Sequence, residues 1–175
     1  MRRLVVVTGP PGSGKTTVAI RVADELRSRG YEVGGFVTRE VREGKERVGF
    51  DIVELVGLSS LPLARKGIQS RHRLGSYVVF PENLERFGIP AINAALERGA
   101  VLVVDEVGPM ELMSNRFVEV VQSSMDSLER SLFTVHFRAK HPLIERLSSS
   151  ATSRLVMRFG EAERVAREAV EHLIR

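Results

Sequence analysis

The sequence predicts an α/β fold in three layers, in which a mostly parallel sheet carries helices on both faces. Short apolar runs rich in β-branched residues alternate with stretches whose apolar residues recur at helical spacing. The first run leads through a glycine-rich loop, residues 9–16, into a helical stretch, and a later run, residues 101–104, ends in two acidic residues. Ligands of such sheets bind at the carboxyl ends of the strands, so both features are expected at one edge.

The chain begins with a strand, a helix and a second strand. Leu4–Thr8 is a continuous β-branched run, which is typical of a buried parallel strand. Lys15–Arg29 has apolar residues at helical spacing, and Gly30 ends the predicted helix. Val33–Thr38 is predicted as the second strand.

A β-hairpin insertion is predicted next. Phe36–Val41 and Val48–Leu55 have strand-like patterns, and the charged turn Glu43–Glu46 lies between them. Residues 57–75 contain serine, glycine and arginine without a clear period, and they are predicted to form a mobile loop.

The rest of the chain alternates strands and helices. The predicted strands are Tyr77–Phe80, Ala100–Val104, Leu132–His136 and Leu155–Phe159. The predicted helices are Asn83–Arg98 with an interruption near Pro90, Phe117–Leu128, Pro142–Leu147 and Glu161–Ile174. No internal repeat or linker is visible, so residues 1–175 are expected to form a single domain.

Composition narrows the class of protein. The 43% hydrophobic and 27% charged residues are ordinary for a soluble protein, and no apolar run is long enough for a membrane span. The N-terminal apolar run is too short for a signal peptide, so a cytoplasmic location is expected. The absence of cysteine excludes disulfides and thiolate catalysis. The net charge is +4, and the basic residues are scattered along the chain, so nucleic acid is a possible partner but not the favoured one. A monomer is expected.

The strongest indication of phosphate binding is the loop between the first strand and the first helix. Its residues are Gly9, Pro10, Pro11, Gly12, Ser13, Gly14, Lys15 and Thr16, with Thr17 following in the helix. In this pattern, consecutive backbone N–H groups surround a phosphate, and the helix N-terminus adds its positive end. We expect Lys15 to reach the β- and γ-phosphates of a nucleotide and the Thr16 hydroxyl to ligate Mg²⁺.

Two adjacent acids follow the buried run at residues 101–104. Asp105 at the end of an apolar strand matches the residue that holds Mg²⁺ in such nucleotide sites. Glu106 beside it is expected to orient or deprotonate a water for attack on the γ-phosphate, which favours hydrolysis over transfer. The alternative for Glu106 is a surface ion pair. Glu111, a few residues on, either orients a neighbouring group or is a solvated loop acid.

Arginines are candidates to stabilise charge that develops on the transferred phosphoryl group. The candidates are Arg39, Arg42, Arg71, Arg73, Arg138 and Arg154. Arg138 is preferred, because the strand Leu132–His136 should end at the ligand edge of the sheet. No Asn-Lys-x-Asp motif is present, so a Ras-like GTPase switch is not expected.

Together these segments resemble the THEP1 family of nucleoside-triphosphatases. The resemblance rests on Gly9–Thr17, Gly35–Arg42, Val48–Val53 and Asp105–Glu111. It implies a RecA-like arrangement of the strands and helices around the glycine-rich phosphate-binding loop, or P-loop. It also implies Mg²⁺-dependent hydrolysis of ATP, GTP and other nucleoside triphosphates to diphosphate and phosphate, with broad base tolerance.

Two other functions use the same loop. One is a small-molecule or nucleotide kinase in which the arginine-bearing segment 65–73 acts as a lid. The other is a nucleic-acid-dependent ATPase module. Phosphate release from nucleotide alone would distinguish hydrolysis from both.

Overall fold

The computed structural model describes residues 1–67 and 71–175. Over these residues, nine strands form one sheet in the order β5-β6-β4-β3-β2-β7-β8-β1-β9. The strands are β1 Arg3–Gly9, β2 Val33–Glu43, β3 Glu46–Glu54, β4 Ser60–Lys66, β5 Arg73–Leu74, β6 Tyr77–Val79, β7 Val101–Val107, β8 Arg130–His136 and β9 Ser153–Val156. The helices are α1 Lys15–Ser28, α2 Pro81–Asn83, α3 Ile89–Arg98, α4 Asn115–Ser127, α5 Pro142–Ser150 and α6 Ala162–Ile174.

The predicted three-layer α/β fold is confirmed. Strands β2, β7, β8, β1 and β9 pair in parallel, and helices cover both faces of this part of the sheet. On one face, valines of β1 and β7 pack against α1 and α6. On the other face, α3, α4 and α5 cover the alternate side chains of the same strands. The strands are therefore apolar on both faces, as parallel strands between two helical layers must be.

The antiparallel part of the sheet is larger than the predicted hairpin. Strands β3, β4, β6 and β5 continue the sheet beyond β2 in antiparallel pairing. β2 pairs with β7 only over Val33–Phe36, whereas it pairs with β3 as far as Glu43. We call the part of β2 beyond Thr38, together with β3, β4, β5 and β6, the wing. It extends past the carboxyl edge of the parallel strands and forms a wall beside that edge.

The prediction of a mobile loop over residues 57–75 is wrong for much of that segment. Ser60–Lys66 is β4, a central strand of the wing, and Arg73–Leu74 is a short strand. β4 was not predicted because it contains Pro62, and proline cannot donate a hydrogen bond to a sheet ladder. It pairs with Asp51, where the register of β3 shifts, so the missing donor is accommodated. Residues 68–70 of the predicted loop lie outside the described residues.

The predicted interruption near Pro90 is present, whereas one further boundary differs from the prediction. The interruption near Pro90 is a π-helical turn, Leu84–Gly88, between α2 and α3. Proline has no N–H to donate to the preceding turn, and the backbone widens just before it. The last strand ends at Val156 and does not reach Phe159; among the described residues, β9 pairs with β1 alone, at the edge of the sheet. Among the described residues, no helix is long and apolar enough to cross a membrane.

Candidate active site

The glycine-rich loop connects the carboxyl end of β1 to the start of α1. Gly12 and Gly14 have φ angles of 74° and 106°, in the left-handed region that favours glycine. Gly9 is required for close approach, because a Cβ there would lie 2.7 Å from the Met157 Cβ. The Ser13 Oγ is buried and has no hydrogen-bond partner among the described residues. The loop thus combines tight backbone turns with a polar group that an anion could engage.

Lys15 is held inside this loop although it is the first residue of α1. Its side chain is buried, and its Nζ donates to the Gly9 carbonyl at 2.7 Å. The same Nζ lies 3.9 Å from Glu106 Oε2. The ammonium therefore joins the loop to the end of β7, and it is positioned to neutralise negative charge between them.

Asp105 is the centre of a buried hydrogen-bond network. Its Oδ2 accepts from the Thr16 hydroxyl at 2.8 Å and from the Thr38 N–H at 3.2 Å. Its Oδ1 accepts from the Thr134 hydroxyl at 2.6 Å. Burial raises the pKa of this carboxyl, while the hydrogen bonds from Thr134, Thr16 and Thr38 and the charge of Lys15 oppose the rise. Three segments distant in sequence thus converge on the carboxyl group of Asp105.

Glu106 lies next to Asp105, and its side chain is one-quarter exposed. Consecutive residues on a regular strand point to opposite faces of the sheet. Here the pairing of β7 with β8 shifts register between Val104 and Val107, so both acids leave the regular ladder and reach the same edge. Burial raises the pKa of Glu106 to about 7, with a further rise from Asp105 and an opposing effect of Lys15. A carboxyl group with this pKa can accept a proton near neutral pH.

Glu111 forms the third acid of the site. Its side chain is buried, and its Oε2 accepts from the Gly108 N–H at 3.2 Å. Burial raises its pKa well above the ordinary value, and the charge of Glu106 raises it further. A Cβ on Gly108 would lie 2.9 Å from Glu106 Oε1 and 3.2 Å from Glu111 Oε2. The glycine therefore allows the two carboxyl groups to approach each other.

His136 and Arg138 follow the end of β8. His136 Nδ1 accepts from the backbone N–H groups of Arg138 and Ala139, at 3.2 and 3.1 Å. Burial lowers the pKa of His136, and the charges of Lys15 and Arg138 lower it further. His136 lines the cavity described below, while the Arg138 side chain is exposed and is not part of its lining.

A cavity of about 900 Å³ opens over these groups at the carboxyl edge of the sheet. Its inner end is lined by the glycine-rich loop, Lys15, Thr16 and Glu106. Its outer end is lined by the wing, including Arg39, Arg47 and Tyr77. A cavity of this volume accommodates a nucleotide-sized ligand, for which about 300–1,000 Å³ is usual.

The donors beside the loop fit Mg²⁺. The Thr16 hydroxyl and the Asp105 carboxylate are hard oxygen donors, and they lie within hydrogen-bond distance of each other. The part of the chain that the structure describes contains no group of three or more His, Cys, Asp or Glu residues able to hold a metal. A cation here would therefore be completed by phosphate oxygens and water, which is how Mg²⁺ is usually bound beside nucleotides.

Comparison with known proteins shows the family. A family model described as NTPase matches residues 4–170. The nucleoside-triphosphatase THEP1 of Methanopyrus kandleri is 48% identical over 140 residues, which are 80% of this chain and 77% of that protein. The protein of the same name from Thermofilum pendens is 42% identical over 158 residues, 90% of this chain and 82% of that protein. The chain belongs to the THEP1 family.

Two solved structures have the same fold as this chain. The crystal structure of THEP1 from the hyperthermophile Aquifex aeolicus matches with a TM-score of 0.84 and 28% identity, over 98% of this chain and 99% of that one. The solution structure of a human cancer-related nucleoside triphosphatase matches with a TM-score of 0.80 and 31% identity, over 97% and 96% of the two chains. The family resemblance seen in the motifs is therefore confirmed.

The structure brings together most of the residues that the motifs singled out in this THEP1 protein. Lys15, Thr16, Asp105 and Glu106 meet at the inner end of the cavity. Of the candidate arginines, Arg39 and Arg42 line the cavity. Arg71, Arg73, Arg138 and Arg154 are exposed and lie outside the lining.

Sequence reasoning missed two threonines that bind Asp105. Thr38 lies where β2 leaves the parallel sheet, and Thr134 lies in the middle of β8. Thr38 lies within the segment Gly35–Arg42, but nothing in that segment indicates its partner, and Thr134 belongs to no motif. A polar residue inside an otherwise apolar strand, as at Thr134, was the available signal, because a buried hydroxyl requires a partner.

Proposed function

We propose that this chain is a Mg²⁺-dependent nucleoside-triphosphatase that hydrolyses ATP, GTP and other nucleoside triphosphates to diphosphate and phosphate. Membership of a nucleoside-triphosphatase family supports the reaction class. One observation supports this assignment most strongly: Glu106 lies beside the Lys15 ammonium at the end of the strand that carries Asp105. This arrangement supports a base at Glu106 and a phosphate-binding cation at Lys15, with the proposed metal-binding Asp105 buried behind them.

In the proposed reaction, the loop from Gly12 to Thr17 binds the triphosphate, and Lys15 stabilises the β- and γ-phosphates. A water attacks the γ-phosphorus in line with the departing diphosphate, and Glu106 orients this water and accepts its proton. The bond between the γ-phosphorus and the bridging oxygen breaks, and nucleoside diphosphate and phosphate leave. Arg138 stays the predicted further cation, a role that requires its exposed side chain to turn towards the cavity.

Thr16 and Asp105 would hold Mg²⁺ in this site. The hydroxyl and the carboxylate supply oxygen ligands of the kind that this ion prefers, and Thr134 and Thr38 fix the orientation of the carboxylate. When bound, the ion neutralises charge on the β- and γ-phosphates.

Broad base tolerance is proposed from the surface beside the loop. The side chains of Met157 and Ala162 lie 3.4 and 3.7 Å from the position of a Cβ on Gly14. Phe159, which lies between these two residues in the sequence, is 69% exposed. A base that packs against an aromatic ring is bound through its face, which every base possesses, and no edge contact is then needed.

Phosphate release from purified protein tests the proposal. The assay compares ATP, GTP, CTP and UTP, with Mg²⁺ or with EDTA, and with or without single-stranded nucleic acid. The proposal predicts release from all four nucleotides in Mg²⁺ alone. Release that depends on nucleic acid, or no release without an added acceptor, would contradict it.

A further inference from the structure

The outer end of the cavity is built by strands that the hydrolytic reaction does not use. Arg47 and Phe50 of β3, Leu74 of β5 and Tyr77 of β6 line this end. None of them contacts Asp105 or the glycine-rich loop through the hydrogen bonds described above. The proposed hydrolysis therefore does not account for the presence of these residues at the outer end of the cavity.

These side chains form a compact cluster of cations and rings. The Phe50 and Tyr77 rings lie 5.5 Å apart with an interplanar angle of 55°. Arg47 Cζ lies 5.1 Å from the centroid of Phe50, and its Nε donates to the Tyr77 hydroxyl at 2.9 Å. Lys66 Nζ lies 5.5 Å from the Tyr77 centroid. Rings and a guanidinium plane that line a cavity are surfaces on which a planar ring stacks.

The same end of the cavity carries net positive charge. Arg39, Arg42 and Arg47 contribute three guanidinium groups, whereas Glu40 contributes one carboxylate. Glu40 is paired with Arg42 at 2.8 Å and with Arg47 at 3.1 Å. The excess of guanidinium groups favours an anionic ligand, since arginine binds phosphate and carboxylate groups through paired donors.

The γ-phosphate of a bound triphosphate is expected to point towards this cluster, and the nucleoside is expected to lie at the opposite end. In loops of this kind, the lysine and the metal-binding hydroxyl mark the γ-phosphate end. The wing leaves the parallel sheet at Thr38, whose N–H donates to Asp105 at that end. Met157 and Ala162 lie beside Gly14, and neither lines the cavity that the wing shares with the loop. The cluster of rings therefore lies beyond the γ-phosphate, away from the base.

We propose that Arg39, Arg42, Arg47, Phe50 and Tyr77 form a second ligand site, the wing site, for a small molecule with a planar ring and a phosphate or carboxylate group. The ligand binds while a nucleoside triphosphate occupies the glycine-rich loop. This inference rests on the proposed direction of the triphosphate, but it does not require hydrolysis.

A small molecule fits the wing site better than a nucleic acid strand. Single strands bind along open grooves that follow the backbone over several nucleotides. Here the rings and guanidinium groups face one cavity that they share with the phosphate loop. A single ring with one anionic group matches this arrangement.

Calorimetric titration of nucleoside monophosphates tests the wing site. AMP and GMP are used as probes, with the protein already saturated by Mg²⁺ and a non-hydrolysable ATP analogue. We expect one molecule of probe per chain. Tyr77→Leu and Arg47→Gln should each weaken binding by about tenfold or more, since stacking and paired anion contacts are lost. Tyr77→Phe keeps the ring and should bind nearly as the wild type does.

Controls separate this result from misfolding and from failure of nucleotide binding. Arg116→Gln changes an exposed arginine of α4, far along the chain from the wing, and should leave probe affinity unchanged. Thermal unfolding of each variant reports the fold, and a fluorescent nucleotide reports occupancy of the glycine-rich loop. Displacement of that nucleotide by the probe, unchanged probe affinity in Tyr77→Leu, or binding of oligonucleotides but not of monophosphates would overturn the proposal.

Discussion

The Thr16 hydroxyl donates a hydrogen bond of 2.8 Å to Asp105 Oδ2, although the two residues lie 89 positions apart in the chain. This contact joins the first turn of α1 to the end of β7. It places a hydroxyl and a carboxylate side by side where the proposed reaction requires Mg²⁺. The predictions below follow from this contact and from the acids that surround it.

Removing the charge of Asp105 should weaken the binding of Mg²⁺ that hydrolysis requires. In Asp105→Asn, the amide is a weaker ligand than the carboxylate, so we expect the Mg²⁺ concentration for half-maximal activity to rise by about tenfold or more. Titration of phosphate release with Mg²⁺ measures this shift. Asp126→Asn, which changes an exposed acid of α4, is the matched control. An unchanged Mg²⁺ titration in Asp105→Asn would exclude Asp105 as a ligand.

Thr134 should contribute measurably to stability. Thr134→Val keeps the shape of a fully buried side chain but removes the 2.6 Å donor to Asp105 Oδ1. A buried acceptor without a partner costs about 1–3 kcal/mol, so the free energy of unfolding should fall by that amount. Urea denaturation of the metal-free protein measures it. Thr134→Ser keeps the hydroxyl and should lose less; equal losses in both variants would argue against the hydrogen bond.

The buried acids Asp105, Glu106 and Glu111 should make the metal-free protein less stable as the pH rises. The pKa of Glu106 is raised from 4.5 to about 7, so between these values the folded protein holds protons that the unfolded chain releases. The stabilisation is therefore fully present below about pH 4.5 and is lost as the pH rises through about 7.

Glu111→Gln tests this pH dependence, because it removes one of the interacting charges. The difference in unfolding free energy between pH 5 and pH 8, measured in EDTA, should shrink, because a glutamine at this position binds no proton in either state. Glu163→Gln, an exposed acid of α6, is the control. The same pH dependence in Glu111→Gln and wild type would show that the buried acids do not repel each other as described.

Gly108→Ala should lower turnover more than nucleotide affinity. The added methyl group would meet Glu106 Oε1 at 2.9 Å and force this side chain to move. A displaced base slows catalysis by about tenfold or more, while the phosphate loop is untouched. Comparison of kcat with the affinity for a fluorescent nucleotide measures the two effects. In a Glu106→Gln background, Gly108→Ala should cause no additional loss, because the base is already absent.

The contiguous features of this site were predictable from the sequence, and the convergent ones were not. The glycine-rich loop and the Asp105–Glu106 pair each lie within a few residues, so their spacing alone indicates their chemistry. Thr38 and Thr134 acquire their roles only because β2 and β8 meet β7 at one edge. Pattern reasoning on a single segment cannot identify such partners.

The fold, too, was predictable in one part and not in another. The strands of the parallel half contain apolar runs of several residues, which the sequence identifies. β4 was missed because Pro62 and the charged residues around it do not resemble a central strand. The wing therefore appeared shorter in the sequence than it is, and its aromatic and arginine side chains could not be assigned to the cavity.

The most direct test of the account is the kinetics of Glu106→Gln. Phosphate release is measured at saturating Mg²⁺ and ATP, and ATP affinity is measured separately with a fluorescent analogue. We predict that kcat falls by at least about 100-fold while affinity changes little, because the amide cannot accept a proton from water but leaves the phosphate loop intact. Glu119→Gln, on the exposed face of α4, should behave as the wild type does. Turnover of Glu106→Gln near the wild-type rate would contradict the central claim that Glu106 activates the attacking water.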